Sequence, residues 1–230
     1  MKIIACISMF IDHFTLIMWH RYRAYISTLD YDSIIRYQKL YNAGRAIGRL
    51  AFPIFCFLLV EGFFHTKSLL KYLGRLFILA LASEHAFNLL VSSQNFDREN
   101  QNVYFTLFLA LSAIAIIDKI ARRFKESPDI RSILTILTAA AFCGLAYILK
   151  TDYDYKGVIA VIVIYMLRNS RILTCIGTVL CFLWEPWASP VALPLLLYNG
   201  KRGLKLKYIF YIFYPLHIYF AYYLAFHILK

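Results

Sequence analysis

Apolar residues fall along this chain in blocks of roughly membrane length, separated by charged connections. The blocks run from about 3 to 19, 46 to 64, 72 to 91, 103 to 118, 132 to 149, 155 to 167, 171 to 184, 190 to 198 and 208 to 229. A helix needs about 20 residues to cross a hydrocarbon core of about 30 Å. The first five blocks and the last meet that length once tilt and snorkelling ends are allowed for. The three between them are short; they cross with their flanks included, or they are broken or re-entrant segments covered by protein. The pattern predicts an all-α, polytopic helical membrane protein with about nine transmembrane helices (eight to ten), some short or broken, forming one domain over residues 1–230.

The connections supply an orientation. With the N-terminus in the cytoplasm, the inner side receives Lys2, then Lys67, Lys71 and Arg75, then the run from Lys119 to Arg131, then Arg168 and Arg171, and finally Lys201, Arg202, Lys205 and Lys207. Fifteen of the 25 basic residues then lie inside, as the positive-inside rule asks. The C-terminus falls outside, and the bacterial cytoplasmic membrane is the expected location. The outer connections carry acids, among them Asp97, Glu99, Asp152, Asp154 and Glu185. One outer stretch, about 20 to 44, is basic and tyrosine-rich, which predicts an amphipathic helix on the outer surface. It leads into Arg45 and Arg49, which share a helix face at i,i+4 spacing. Paired with a buried acid Arg49 would be structural; facing a cavity it would bind an anion. Pro53 is placed to kink the second membrane helix.

Composition agrees with this class. Hydrophobic residues are 61% of the chain, above the usual share for a soluble domain. The first block lacks a small-residue cleavage pattern and is followed by many like it, so it is expected to be a retained helix. A net charge of +12 does not imply nucleic acid, because the basic residues sit between apolar blocks and form no binding module. Contact with anionic lipid headgroups accounts for most of it. The five cysteines lie inside apolar blocks without metal-ligand spacing, so neither disulfides nor a metal is expected.

Candidate chemistry comes from polar residues placed where hydrocarbon makes them costly. Asp12-His13 lies in the middle of the first block, and His13 falls on nearly the same helix face as Lys2, eleven positions earlier and about 16 Å away. Glu61 sits about one turn inside the second block, as a cavity residue or a partner for His65 and Lys67. The third block carries Ser83-Glu84-His85 and Asn88; Glu84 needs a partner, either His13 or an arginine. In the last block His217 lies near mid-helix beside Pro215. The Asp152-Tyr153-Asp154 turn either caps the helix that follows or lines a mouth for a cationic acceptor. Two buried imidazoles with carboxylates nearby supply a general base and groups to orient it. No serine or cysteine nucleophile motif and no nucleotide-binding glycine loop is present. The set suits direct attack by a bound alcohol or amine on an activated donor, and equally a proton relay in a transporter.

A resemblance narrows these alternatives. Lys2-Ile3-Ile4-Ala5 with Met9 to His13, Gly48 to Phe55, Leu59 to Phe63 with His65-Thr66, Lys71-Tyr72-Leu73 with Arg75-Leu76, Ser83-Glu84, Asn102 to Thr106, Asp152-Tyr153 with Gly157-Val158, Tyr198 to Gly203 and Phe210 to His217 together resemble the TraX family of bacterial membrane proteins. The named member of that family is associated with N-acetylation of conjugative pilin. The family in turn is similar to membrane acyltransferases that acetylate bacterial surface sugars, which place a basic residue ten intervening positions before a first-helix histidine, as Lys2 and His13 stand here. The resemblance implies an acyltransferase using acetyl-coenzyme A as donor substrate and an amine or hydroxyl of an envelope acceptor, a protein N-terminus or a glycan. His13 would be the base, held by Asp12 or Glu84. Lys2, Arg49, Lys67, Lys71, Arg75, Lys201 and Arg202 would meet the donor, and Arg49 and His217 would stabilise the oxyanion. A proton-coupled transporter and a non-catalytic assembly protein are the rival readings.

Overall fold

The protein is described by a computed structural model over residues 1–23, 25–91, 99–200 and 207–228, with backbone only for 207–211. Among these residues the fold is all-α. The helices are α1 (Lys2–Arg23), α2 (Tyr31–Gly48), α3 (Ala51–His65), α4 (Leu69–Val91), α5 (Val103–Arg123), α6 (Pro128–Ile148), α7 (Asp154–Leu167), α8 (Arg171–Cys181), α9 (Ala192–Leu196) and α10 (Lys207–Tyr223). A 3₁₀ stretch, Pro186–Val191, precedes α9.

Five of these elements, not eight to ten, are long and apolar enough to cross a membrane: α1, the Tyr31–His65 run, α4, α5 and α6. The difference lies in how the later apolar blocks fold. Block 155 to 167 becomes α7, 14 residues or about 21 Å, and block 171 to 184 yields the 11 residues of α8. Block 190 to 198 splits between the 3₁₀ stretch and the five residues of α9. Helix α7 is apolar because it is a core helix: Val158, Ala160, Val161 and Ile164 bury against α5 and α3. Helix α6 is the converse: only Ala146 is fully buried, and Ile133, Ile136, Leu137 and Ile148 are exposed, as suits a lipid-facing span. The chain is thus a multi-pass helical membrane protein.

The stretch expected to lie along the outer surface instead packs antiparallel on α1. Tyr37 packs at a tilt against Tyr22 and Tyr41 stacks on Trp19, and the contact then continues through two glycines. A Cβ on Gly44 would lie 2.8 Å from Thr15 Cγ2, and one on Gly48 would lie 2.4 Å from Asp12 Cγ, both inside contact distance. Gly44 and Gly48 form a GxxxG pair, which lets helix backbones approach closely in a membrane. Ser8 Oγ closes the contact by donating to the Ile47 carbonyl at 2.6 Å. The chain bends at Arg49–Leu50, between α2 and α3, rather than at Pro53. Pro53 is the third residue of α3, where a missing N–H costs little.

Three apolar clusters fill the bundle: one on α3, α5 and α7, one on α1, α4 and α10, and one where α1 and α3 meet α8 and α9. Between them the packing leaves a polar-walled cavity.

Candidate active site

Helix α1 presents His13 and α10 presents His217. Their rings lie 13° from parallel, and His13 Nδ1 is 2.7 Å from His217 Nε2. The other nitrogen of His217, Nδ1, lies 2.7 Å from the Phe213 carbonyl oxygen, one turn back on α10. These contacts fix the protons of the neutral pair. A carbonyl only accepts, so His217 Nδ1 carries hydrogen and its Nε2 is a lone pair. His13 Nδ1–H must then donate to that lone pair, which leaves His13 Nε2 as the basic nitrogen. No described residue hydrogen-bonds to Nε2. His217 is 4% exposed and packed between Phe213 and Tyr214, which shield it from solvent.

Asp12 faces α2 instead. Its Oδ2 accepts from Arg45 Nη1 at 2.7 Å, with both side chains mostly buried. Its Oδ1 is buried against Gly48 without a hydrogen-bond partner. Arg49, one turn further on, turns to Glu185 at 2.9 Å. Of the alternatives for Arg49, both hold: it has an acid partner and it lines the cavity.

The far wall is the connection between α6 and α7. Lys150, Tyr153 and Asp154 all have left-handed φ, at 51°, 64° and 50°, conformations disfavoured for residues other than glycine. Such outliers persist where the surroundings over-determine them. Here Gln101 N–H donates to the Lys150 carbonyl at 3.0 Å and Asp152 N–H to the Gln101 carbonyl at 2.8 Å. Thr106 Oγ1 donates to the Asp152 carbonyl. The Tyr153 ring stacks on Phe52 at 3.7 Å between centroids. Burial pushes the Asp152 carboxyl up to about 6, with the Arg49 and Arg45 charges pulling the other way.

The cavity enclosed by these elements has a volume of about 300 Å³, at the small end for a ligand site. Its walls include His13, Asp12, Arg45, Arg49, Asp152 and Tyr153, with Phe52, Phe55, Phe87 and Tyr214 as apolar lining. It holds a basic nitrogen, guanidinium groups and the phenol side chains of Tyr153 and Tyr214 around one space.

Other expected site residues lie elsewhere. Glu84 accepts from both the backbone and the side-chain nitrogen of Asn102, the cap of α5, and so ties α4 to α5. Lys67 and Lys71 are exposed at the α3–α4 corner, and the Arg75 guanidinium lies 5.7 Å over the Tyr72 ring. Lys2 is exposed at the start of α1. None of Lys2, Lys67, Lys71, Arg75 or Glu84 lines the cavity. Lys201 and Arg202 lie outside the described residues. The sequence assigned no catalytic or donor-binding role to Arg45, Gly48, Asp152, Tyr153 or Tyr214, although it offered the Asp152-Tyr153-Asp154 turn as the lining of a mouth. The Gly44–Gly48 spacing was a legible signal for the second of these, and through it for Arg45 facing Asp12. Among the described residues no group of three His, Cys, Asp or Glu side chains is gathered as a metal site.

Comparison with known proteins follows the same lines. The chain is 30% identical over 240 residues to a protein of Dichelobacter nodosus named "Probable fimbrial assembly protein FimC, serogroup H1", covering 95% of this chain and 91% of the relative. No solved structure matches. The profile of the TraX protein family matches residues 1–225. With its all-α bundle and a match over nearly its whole length, the chain belongs to the TraX family.

Proposed function

We propose that this protein is a membrane-embedded acyltransferase that moves an acetyl group from acetyl-coenzyme A to an amine or hydroxyl of an envelope acceptor. The observation that carries the reading is the hydrogen-bond chain from the Phe213 carbonyl through His217 to His13, which leaves His13 Nε2 as a base in the cavity wall. In the reaction the acceptor heteroatom attacks the thioester carbonyl carbon while Nε2 takes its proton. The C–S bond then breaks and the thiolate leaves with that proton. His217 acts as the positioning residue: its Nε2 keeps the hydrogen of His13 on Nδ1 and shares the charge of the imidazolium that forms. This is the role an orienting acceptor plays beside a catalytic histidine.

The donor's phosphates suit the exposed cations Lys67 and Lys71 at the α3–α4 corner and Lys2 at the start of α1, with the half-buried Arg75 one turn further along α4 and the N-terminus in the cytoplasm. A cavity of about 300 Å³ suits an acetyl thioester and the reacting end of an acceptor rather than a whole coenzyme. The donor's body would then remain outside it.

The test is acetyl transfer from radiolabelled acetyl-coenzyme A by the purified protein in detergent, with and without a mixed envelope extract, beside His13→Ala. Label transferred or released by the wild type and not by folded His13→Ala supports the proposal. Equal rates for the two would remove His13 as base. The printed name of the Dichelobacter relative favours a second reading, assembly without chemistry. On that reading neither protein turns over acetyl-coenzyme A, and the wild type instead co-purifies with a surface-fibre component.

A further inference from the structure

We propose that Tyr153 is a catalytic residue of this site, its phenol hydrogen donated to the oxyanion that develops on the thioester carbonyl. The inference rests on the acyltransferase reading and assigns the electrostatic half of the reaction, which His13 and His217 leave unfilled.

Three observations place the phenol. Tyr153 and His13 line the same cavity. In a cavity of about 300 Å³ a carbonyl carbon held within about 3.5 Å of a nucleophile at His13 shares its space with the Tyr153 side chain. The side chain is also held there at a cost. Its φ of 64° is disfavoured for a residue with a Cβ. Its ring is clamped by Phe52, and a Cβ on Gly157 would lie 2.6 Å from Thr106 Cγ2 and 3.2 Å from Tyr153 Cβ, so only glycine fits behind it. Finally, the Arg49 guanidinium lies close enough to the Tyr153 phenol for its charge to act on it. A guanidinium has no acceptor, so in that contact the phenol oxygen accepts and its own hydrogen is free to point elsewhere. The guanidinium polarises the O–H bond and so strengthens it as a donor. Arg49 is itself paired with Glu185, at 2.9 Å.

The step balances within the reaction already written. As the acceptor–carbon bond forms, the carbonyl π electrons move to oxygen and the Tyr153 hydrogen bond shortens onto the anion without transfer. As the C–S bond breaks, the pair returns to the carbonyl and Tyr153 is unchanged. A donor aimed at charge that exists only in the transition state acts on kcat rather than on binding.

The experiment is Tyr153→Phe beside wild type and His13→Ala, scored by thiol release from acetyl-coenzyme A in the presence of an envelope extract. The expected result is a kcat lower by about 10²- to 10³-fold, the usual effect of losing one oxyanion donor, with KM for acetyl-coenzyme A within about twofold. A Tyr153→Phe variant with wild-type kcat, or one in which only KM changes, overturns the proposal while His13→Ala independently reports on the base. Replacing Tyr153 by 3,5-difluorotyrosine preserves the packing and acidifies the phenol. The high-pH limb of kcat then moves to lower pH if the O–H donates, and stays where it is if the ring is only structural. That substitution decides the matter even if removal of the hydroxyl unfolds the protein.

Discussion

The clearest consequence of the histidine pair concerns His217, whose ring does not need to touch substrate. Replacing it with phenylalanine retains an aromatic ring between Phe213 and Tyr214 and removes the acceptor of the His13 Nδ1–H bond. A buried donor left unsatisfied costs about 1–3 kcal/mol. His13 relieves that cost by turning or by moving its hydrogen to Nε2, and either change takes the lone pair out of the cavity. If the productive arrangement must be regained for each turnover, that cost enters the barrier directly. At 1.36 kcal/mol per decade the rate falls about 5- to 160-fold. His217→Gln, whose amide oxygen can accept from His13, should recover part of the loss. The assay is acetyl transfer by the three proteins, together with ¹⁵N spectra of histidine-labelled samples, a tractable experiment with six histidines in the chain. The wild-type spectrum should contain an imidazole protonated at Nδ1 that changes in His217→Phe. Full activity in His217→Phe, or a His13 protonated at Nε2 in the wild type, would refute the reasoning.

Gly48→Ala places a methyl group against the Asp12 carboxylate and should cost about 1–3 kcal/mol by overpacking, read as a lower Tm in detergent, with loss of activity as α1 shifts under His13. Glu84→Ala should lower stability by about 1.5–3 kcal/mol through loss of the Asn102 anchor, while folded protein keeps its turnover; a stable but inactive variant would return Glu84 to the chemistry. Asp152 has a carboxyl raised from 3.8 to about 6, so the folded state holds an extra proton between those values. Its contribution to stability is therefore most favourable below about pH 4, falls as pH rises to about 6, and is flat above. Asp152→Asn should abolish that slope and raise stability at pH 7 by up to about 3 kcal/mol, measured by unfolding across pH.

The chemistry-bearing residues of α1 and α10 were legible because hydrocarbon makes them conspicuous. A histidine in the middle of an apolar block reads as functional whatever surrounds it, and His13 and His217 were marked on that ground alone. Their mutual hydrogen bond was not legible, since 204 positions separate them and nothing local fixes which helix faces which. The sequence offered Asp12 or Glu84 as the group holding His13. The bundle turns Asp12 to Arg45 and Glu84 to Asn102, and brings His217 to His13. The crossing count failed for a related reason. Core helix α7 and lipid-facing helix α6 are both strongly apolar, so hydropathy separates neither burial from exposure nor 14 residues from a full span.

What the sequence determined by itself was the solvent and the secondary structure: apolar blocks of that length, with basic residues between them, leave a chain no stable alternative to membrane helices, because unpaired backbone groups are too costly in hydrocarbon. What only the tertiary structure decided was the site. The GxxxG contact draws Arg45 onto Asp12, and the left-handed turn after α6 brings Asp152 and Tyr153 to face α1. The pairing of α1 with α10 sets which nitrogen of His13 is basic. Each depends on packing between segments far apart in the chain, where the energy of one contact is fixed by every other contact that positions it.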